Sequence, residues 1–185
     1  MSEVRIIGGQ WKRSKLPVAT KPGLRPTSDR VRETLFNWLG QDLVGWRVLD
    51  AFAGSGALGF EAASRGADEV LLLERDAELV RSLKASALRL KAEQLRVECT
   101  DALGWMTRSA PARFELVLLD PPFGQELFEA ALCAATPLLV DGGLIYLEAP
   151  DLIAAPPELG LDVWKSGRAG AVYYQLLRRG DNPGV

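Results

Sequence analysis

The sequence predicts an α/β protein with a mostly parallel seven-stranded sheet, helices on both faces and an N-terminal β-hairpin arm. Two observations support this fold class. Short apolar runs rich in Val and Leu alternate with segments of helical periodicity, as in chains that return repeatedly to one parallel sheet. Residues 48–62 pass from an apolar strand through a glycine turn into a helix, which is how nucleotide-binding α/β sheets commonly begin.

The composition is compatible with one globular domain and excludes several kinds of catalysis. The 185 residues are 48% hydrophobic and 25% charged, as in ordinary globular proteins. Histidine is absent, which excludes histidine-based nucleophiles and bases and most catalytic zinc sites, so we expect no metal. Two cysteines give no disulfide framework, and no apolar run is long enough for a signal peptide or a membrane span. We therefore expect a cytoplasmic protein.

The net charge of −2 conceals a basic N-terminal segment. Residues 1–32 contain eight basic and two acidic side chains, whereas the rest of the chain contains 14 basic and 22 acidic ones. A basic segment on an acidic body favours binding of a polyanion, although a solvated basic tail would have the same composition. We assign residues 1–24 to the arm with its connector and residues 25–185 to the main domain.

The arm is predicted to be a β-hairpin. Residues 5–12 indicate a short strand, a tight turn at Gly8-Gly9 and the start of a second strand that reaches Leu16 and Val18. Basic side chains along this arm could contact phosphates, which makes binding sensitive to salt without reading a base sequence. The expected polyanion-binding residues are Arg5, Lys12, Arg13, Lys15, Arg25 and Arg30.

The segment that begins at Arg25 is predicted to be a capped helix packed on the core. Thr27 or Ser28 is suited to the N-cap, and Gly40 ends the helix. Apolar residues recur at intervals of three and four, so one side of the helix packs on the main domain and docks the arm there. Arg25 and Arg30 would then border the ligand site or form a solvated surface cap, and the sequence leaves both possibilities open.

The glycine loop at residues 53–56 is the first candidate binding site. Gly54 and Gly56 allow positive φ and close approach by a ligand, and the following helix directs its free N–H groups at the same place. With Gly59 they match the dinucleotide pattern G-x-G-x-x-G. Asp50 would repel a pyrophosphate and suits a ligand with an ammonium and a sulfonium, such as S-adenosylmethionine. A glycine turn with Asp50 as a helix-capping acid explains this stretch equally well.

Acidic residues also end later predicted strands. Glu74 lies twenty residues after Gly54, where it could accept hydrogen bonds from a ribose diol or serve as the N-terminal acid of the next helix. Asp101 could accept from an adenine amine or only cap a helix. The predicted core strands span residues 47–51, 69–74, 95–99, 115–120, 143–148, 161–165 and 172–177; helices span 57–65, 76–90, 102–109 and 126–135; and the last two strands form a hairpin across residues 167–170.

The fourth core strand ends in Asp120-Pro121-Pro122-Phe123, the second candidate site. The prolines lack N–H and fix φ, so this corner is predicted to be rigid and to offer only hydrogen-bond acceptors. Two acceptors could hold an exocyclic amine out of conjugation while Phe123 stacks on its base. Positioning and oriented dipoles would supply most of the rate, and Asp120 or water would take the proton. A plain proline-rich turn is the alternative, which the acids at other strand ends disfavour.

Several motifs resemble those of a known enzyme family. LDAFAGSGALGFEA, DPPF and RPTSDRVRETLFNWL, together with the arm RIIGGQWKRSKL, resemble the bacterial 16S ribosomal RNA guanine-N2 methyltransferases that act on guanine 966. The resemblance implies a Rossmann-like class I methyltransferase fold, S-adenosylmethionine as cofactor, and 16S RNA, free or in the small ribosomal subunit, as partner. With RNA as the polyanion, the basic residues named above are the expected RNA-binding residues, although the family pattern does not assign the roles of individual arm residues. We expect a monomer.

The resemblance also implies the residues of the site. Contacts to the target base would come from Asp120, Pro121, Pro122 and Phe123. The expected cofactor-binding residues are Asp50, Phe52, Ala53, Gly54, Ser55, Gly56, Glu74, Arg75, Asp101 and Ala102.

Other functions stay open at this point. A methyltransferase of the same fold could modify the N6 amine of DNA adenine or a protein amide; the basic arm disfavours the amide but does not separate RNA from DNA. An NAD-binding oxidoreductase is opposed by Asp50 and by the Asp120–Phe123 corner. An RNA-binding module with a vestigial cofactor site is the fourth possibility.

Overall fold

The computed structural model describes residues 2–122 and 127–180. Within these residues the strands are β1 (Ser2–Arg5), β2 (Lys15–Val18), β3 (Arg47–Asp50), β4 (Glu69–Glu74), β5 (Leu95–Cys99), β6 (Phe114–Leu119), β7 (Leu139–Ala149), β8 (Leu161–Ala169) and β9 (Val172–Arg179). The α-helices are α1 (Asp29–Leu39), α2 (Ala57–Ser64), α3 (Ala77–Leu90), α4 (Ala102–Arg108) and α5 (Leu127–Ala135). Short 3-10 turns follow α5 at Thr136–Leu138 and precede β8 at Pro157–Leu159.

Seven strands form the central sheet in the order β5-β4-β3-β6-β7-β9-β8. The first five are parallel, and β9 and β8 add to β7 as an antiparallel hairpin. The order reverses between β3 and β6, and in open α/β sheets ligands bind beyond the carboxyl ends of the strands at such a point. The predicted fold class and the N-terminal hairpin are confirmed.

Both faces of the sheet are covered, as the continuous apolar strands require. One apolar cluster joins the sheet to the arm, α1 and α2, and a second joins it to α4 and α5. Fully buried residues of β6 contribute to both clusters, because successive side chains of a strand point to opposite faces. No helix within the described residues is long and apolar enough to cross a membrane.

Most predicted elements appear with shifted ends. Helix α1 begins at Asp29 because Ser28 is the N-cap, with its Oγ accepting the N–H of Val31 at 3.3 Å. The last two strands form the predicted hairpin, but β8 continues to Ala169, so the turn lies at residues 170–171. Strand β7 begins at Leu139, earlier than predicted, where it pairs with Phe114 at the start of β6 across an irregularity in the register.

The tight turn predicted at Gly8-Gly9 is wrong. Strands β1 and β2 pair from Ser2 with Val18 to Arg5 with Lys15, so residues 6–14 all belong to the connection. The glycines instead allow this loop to dock on α2: a Cβ on Gly9 would lie 1.8 Å from the carbonyl oxygen of Ser64. Close approach to a remote helix, rather than a reversal of the chain, accounts for this glycine. The buried arm residues that join the main core are Val4, Ile6, Leu16 and Val18.

Buried ions fasten the arm to the main domain. The side chains of Arg32 and Glu61 are both fully buried, with Nη1 of Arg32 3.0 Å from Oε2 of Glu61. Oxygen Oε1 of Glu61 accepts from Nε of Arg65 at 3.0 Å and from the N–H of Gly8 at 2.8 Å, and Oε2 accepts from the N–H of Ile7 at 3.0 Å. We call these groups the Glu61 cluster. A buried carboxylate with two cations and two backbone donors is well compensated.

The outer strand β8 is mostly exposed. Trp164 and Val163 on this strand are 40% and 53% accessible. The guanidinium of Arg178, on the neighbouring β9, lies 4.2 Å from the centre of the Trp164 ring. In the described part of the chain, this edge of the sheet therefore carries charged side chains rather than a helix.

Candidate active site

Three acids meet at the carboxyl edge of the sheet. Asp50 ends β3, Asp120 directly follows β6, and Glu148 lies at the end of β7. Asp50 pairs with Leu118, and Leu119 pairs with Leu147. Because side chains alternate along a strand, this register places all three acids on the face of the sheet that carries the arm, α1 and α2. We call Asp50, Asp120 and Glu148 the acidic edge.

Asp50 is enclosed beneath the glycine loop. Its side chain is 1% exposed, and Oδ2 accepts the N–H of Gly59 at 2.9 Å. The pKa of Asp50 is raised to about 7, chiefly by burial and also by the nearby charges of Glu74 and Glu148, while backbone hydrogen bonds from Gly59 and Phe52 oppose the rise. Asp50 therefore accepts a hydrogen bond from the first turn of α2, as the helix-capping interpretation predicts. From its buried position it supports the glycine loop and places a carboxyl group beneath it.

The glycine loop is held by Glu74. The N–H of Gly54 donates to Oε2 of Glu74 at 3.0 Å, and the N–H of Asp76 donates to Oε1 at 2.9 Å. Each carboxylate oxygen has a second lone pair, and the side chain is partly accessible, so Glu74 can still accept from a ligand. Gly54 and Gly56 adopt the predicted positive φ, at 54° and 81°. The loop and Glu74 are thus one hydrogen-bonded unit.

The other residues predicted to bind the cofactor surround this unit at different depths. Asp101 caps α4, where its Oδ2 accepts the N–H of Gly104 at 2.8 Å, and the side chain is exposed. The cap that the sequence left open is confirmed, and the cofactor contact stays a prediction. Of the remaining members of the set, Phe52 and Ser55 are half-buried, Ala53 and Ala102 are buried, and Arg75 is exposed.

The connector between β2 and α1 crosses the glycine loop. Nζ of Lys21 lies 2.6 Å from Oδ2 of Asp76 and 2.8 Å from Oε2 of Glu78, at the start of α3. The Cδ1 atom of Leu24 would lie 3.0 Å from a Cβ on Gly54. The arm therefore reaches the loop through side chains of its connector. The cations predicted to bind RNA are all exposed: Arg5, Lys12, Arg13, Lys15, Arg25 and Arg30.

Asp120 is the acid of the proline corner. Burial raises its pKa well above the usual range, and repulsion from Glu148 and Asp50 adds to the rise. Among the described residues its carboxylate forms no salt bridge, and no hydrogen bond offsets the rise in its pKa. Pro121 is buried and Pro122 is exposed, and Phe123 lies outside the described residues. The corner thus presents a raised-pKa carboxylate directly after a buried strand.

Sequence reasoning missed Glu148. This residue is 6% exposed, and its Oε1 accepts from the Thr27 hydroxyl at 2.6 Å and from the Tyr146 hydroxyl at 2.8 Å. Burial raises the pKa of Glu148, while the two hydrogen bonds oppose the rise. A signal was present, because Glu148 ends a predicted strand as Glu74 does. Thr27, expected as a possible helix cap, instead connects the entry of α1 to the acidic edge.

The chemistry of this edge favours cations and hydrogen-bond donors. None of its three acids forms a salt bridge within residues 2–122 and 127–180. In the same part of the chain, no three Asp, Glu, His or Cys side chains converge closely enough to hold a metal ion. A sulfonium-bearing ligand would be attracted by the buried negative charge, whereas a pyrophosphate would be repelled. The groups present therefore fit S-adenosylmethionine.

The sheet order, with a glycine loop after its first central strand and acids at the strand ends, defines a methyltransferase of class I. Solved structures agree with this class. The candidate methyltransferase yhhF from Escherichia coli superposes with a TM-score of 0.87 and 38% identity, covering 97% of this chain and 99% of that one. A Thermus thermophilus 16S rRNA N2 G1207 methyltransferase, in complex with AdoMet and guanosine, shares the fold with a TM-score of 0.70 and 24% identity, over 98% of this chain and 50% of that one.

The chain belongs to the family described as "Conserved hypothetical protein 95", which matches residues 4–178. Curated relatives bear the name Ribosomal RNA small subunit methyltransferase D. The relative from Escherichia coli K12 is 42% identical over 184 residues, covering 96% of this chain and 90% of the relative. That from Haemophilus influenzae is 43% identical over 182 residues, covering 95% and 94%. The resemblance noted in the sequence is confirmed, and the protein is a methyl-transferring enzyme.

Proposed function

We propose that this enzyme transfers a methyl group from S-adenosylmethionine to the N2 amine of guanine 966 in 16S ribosomal RNA. The observation that carries the proposal is the position of Asp120, a carboxylate of raised pKa that follows β6 beside the glycine loop. The names of the curated relatives support a ribosomal RNA of the small subunit as substrate.

The cofactor side of the site is formed by the glycine loop and its acids. S-adenosylmethionine supplies an electrophilic methyl group bound to a positively charged sulfur. Asp50, buried beneath the glycine loop, would favour that charge, and the free lone pairs of Glu74 would accept from the ribose diol. Asp101, exposed at the start of α4, would accept from the adenine amine. Gly54, with its left-handed backbone, would let the ligand lie against the loop.

The base side is formed by the proline corner. The amine of guanine is a weak nucleophile because its lone pair is delocalised into the ring. Asp120 and the carbonyl oxygens of Pro121 and Pro122 would accept the two amine hydrogens and orient the lone pair towards the methyl group. The raised pKa of Asp120 makes this carboxylate a stronger base than an ordinary aspartate, so it would take the proton released at nitrogen.

The RNA side is formed by exposed cations of the arm and of the entry to α1. Because the Glu61 cluster fastens the arm to α2, these cations keep a fixed relation to the acidic edge. Phosphate contacts of this kind would position the RNA while the proline corner selects the base. We propose 16S RNA, free or within the small subunit, as the partner of a monomeric enzyme.

Substitution of Asp120 tests the proposal. Asp120→Ala should lower methyl transfer to guanine 966 by roughly 10³-fold, because it removes both an amine acceptor and the base. The dissociation constant for S-adenosylmethionine, measured by calorimetry, should change by no more than about threefold, within the small effects expected away from a contact. Asp141→Ala, at the opposite end of β7 from Glu148, is the matched control and should retain wild-type rates.

The substrate form should be varied in the same assay. Free 16S RNA and reconstituted small subunits would be compared, and the modified nucleotide would be identified by mass spectrometry. Equal loss of transfer and cofactor binding in Asp120→Ala would remove the assigned role of Asp120. Methylation at another nucleotide by the wild-type enzyme would overturn the substrate assignment.

A further inference from the structure

One carboxylate oxygen of Glu148 accepts hydrogen bonds, and the other has no partner within the described part of the chain. Both hydroxyls that contact this side chain, those of Thr27 and Tyr146, donate to Oε1. Oε2 has no hydrogen-bond partner among residues 2–122 and 127–180. Every fully enclosed side-chain nitrogen or oxygen in that part of the chain has a partner, so Oε2 borders accessible space. The two hydroxyls hold the side chain in one orientation and leave Oε2 available.

A purely structural role would not need a charged group at this position. Two hydroxyl donors are satisfied by any acceptor, and a neutral amide would avoid the desolvation of a carboxylate. Glu148 also lies beside Asp120, because Leu119 and Leu147 are paired on neighbouring strands and these acids directly follow them. Two like charges side by side raise the cost of burial unless a ligand brings donors or positive charge.

The base proposed above brings two such donors. The Watson–Crick edge of guanine carries N1–H next to the N2 amine, whereas adenine carries an unprotonated N1 next to its N6 amine. RNA-binding proteins read unstacked bases on this edge by hydrogen bonds. If Asp120 and the proline carbonyls accept the amine hydrogens, N1–H still needs an acceptor. Neighbouring parallel strands lie about 4.8 Å apart, so acids at their ends can contact adjacent atoms of one base.

We infer that Glu148 selects guanine by accepting its N1–H through Oε2, while Asp120 holds the neighbouring amine. This inference rests on the proposed function and adds a specificity-determining residue to it. A base with an unprotonated N1 would place two lone pairs against each other and leave Oε2 of Glu148 without a donor. Sites built to bind an N–H reject analogues that lack it far more strongly than apolar pockets reject a missing methylene group.

The experiment replaces the target guanine by 2-aminopurine, which keeps the 2-amine and has an unprotonated N1. The 16S RNA would be joined from a synthetic segment and used free and in reconstituted small subunits. We expect the wild-type enzyme to favour guanine by roughly 100-fold or more in kcat/KM. Glu148→Gln keeps an oxygen for Thr27 and Tyr146 and offers an N–H to N1. This variant should lose roughly 10- to 100-fold on guanine and lower the guanine preference at least tenfold.

Comparison of the wild-type enzyme with Glu148→Gln isolates the effect of the N1 proton on substrate preference. Loss of O6 in 2-aminopurine affects wild type and variant alike and cancels in the ratio of their preferences. Tyr146→Phe is the matched control, because it removes one hydrogen bond to Oε1 and leaves Oε2 unchanged. It should alter the rate on both bases equally and retain the wild-type preference.

The outcomes separate the inference from the proposed function. An unchanged guanine preference in Glu148→Gln, with active wild-type enzyme, would overturn the role of Glu148 and leave the proposed function standing. Absence of transfer to guanine by the wild-type enzyme would overturn the proposed function itself. A wild-type preference below about threefold would also overturn the inference, and this measurement does not depend on how any variant folds.

Discussion

The Glu61 cluster and the acidic edge lie on the same side of the sheet, but they differ in how their acids are compensated. Glu61 contacts two arginines and two backbone N–H groups. The acidic edge brings Asp50, Asp120 and Glu148 together without a salt bridge among the described residues. Burial raises the pKa of each acid at this edge.

This is the difference expected between a structural site and the reactive site that we propose. In the Glu61 cluster, charge neutralisation fixes the arm on α2. Each carboxylate oxygen of Glu61 already accepts two hydrogen bonds, so neither is available to a ligand. At the acidic edge, the protein leaves repulsion that a cationic ligand and a donor-bearing base can relieve. Perturbed acids of this kind concentrate at functional sites, because shifted pKa values serve proton transfer and ligand attraction.

The largest effect should come from breaking the compensated cluster. Glu61→Gln would remove the buried anion that contacts Arg32 and Arg65 and leave Arg32 paired with the exposed Asp29 alone, so we expect the free energy of unfolding at pH 7 to fall by roughly 3–5 kcal/mol. Urea denaturation measures this change. Glu3→Gln, at the exposed pair with Lys15, is the matched control and should not shift the midpoint. A loss below about 1 kcal/mol in Glu61→Gln would mean that the cluster does not hold the arm.

A smaller effect of opposite sign should follow from removing a buried, ionisable carboxyl group at the acidic edge. The pKa of Asp50 is about 7 in the folded protein, against roughly 3.9 in an unfolded chain. The native state therefore binds this proton more tightly, and the stability so gained is present below about pH 4 and lost as pH rises through 7.

The Asp50→Asn variant should not show this loss of stability with rising pH. Between pH 4 and pH 8 the free energy of unfolding should decline by roughly 2–4 kcal/mol more in wild type than in the variant, at about 1.4 kcal/mol per pKa unit. Urea titrations at several pH values would measure the difference. Asp42→Asn, an exposed control, should follow the wild-type profile. If the free energies of unfolding of Asp50→Asn and wild type changed in parallel with pH, ionisation of Asp50 would not destabilise the folded protein.

The smallest effect on stability should come from the exposed cations, which belong to neither cluster. Replacing Lys12, Arg13 and Lys15 together by Ala should leave the unfolding midpoint unchanged and flatten the salt dependence of RNA binding. The slope of log K against log salt should fall by roughly 2, because each lost phosphate contact contributes about 0.7–0.9. Binding titrations from low to high salt would measure it. An unchanged slope would place these residues outside the interface.

Much of the fold followed from local patterns. The apolar runs that became β4 and β6 predicted a parallel sheet, since both faces of such strands are covered. The glycine loop and the Asp120 corner were found because unusual residue types stand next to strand ends. At both places the sequence motif and the strand end that positions it lie within a few residues of each other.

The errors arose where the deciding partner is remote in sequence. Gly8-Gly9 has the composition of a tight turn, but Ser64 on α2 determines the conformation of this loop. Thr27 is a residue type that often caps helices, but its hydroxyl donates to Glu148, which lies 121 residues further along the chain. Glu148 ends a predicted strand as Glu74 does, but it lacks the fixed spacing from Gly54 that singled out Glu74.

The exposed outer strand also has a consequence for the protein in a crowded solution. An unpaired strand edge invites another strand to add to it, and edge charges discourage this. Strand β8 carries Asp162, Lys165 and Arg168, all exposed, and its Trp164 ring is shielded by Arg178. The sheet can thus end in an open hairpin without becoming a seed for aggregation.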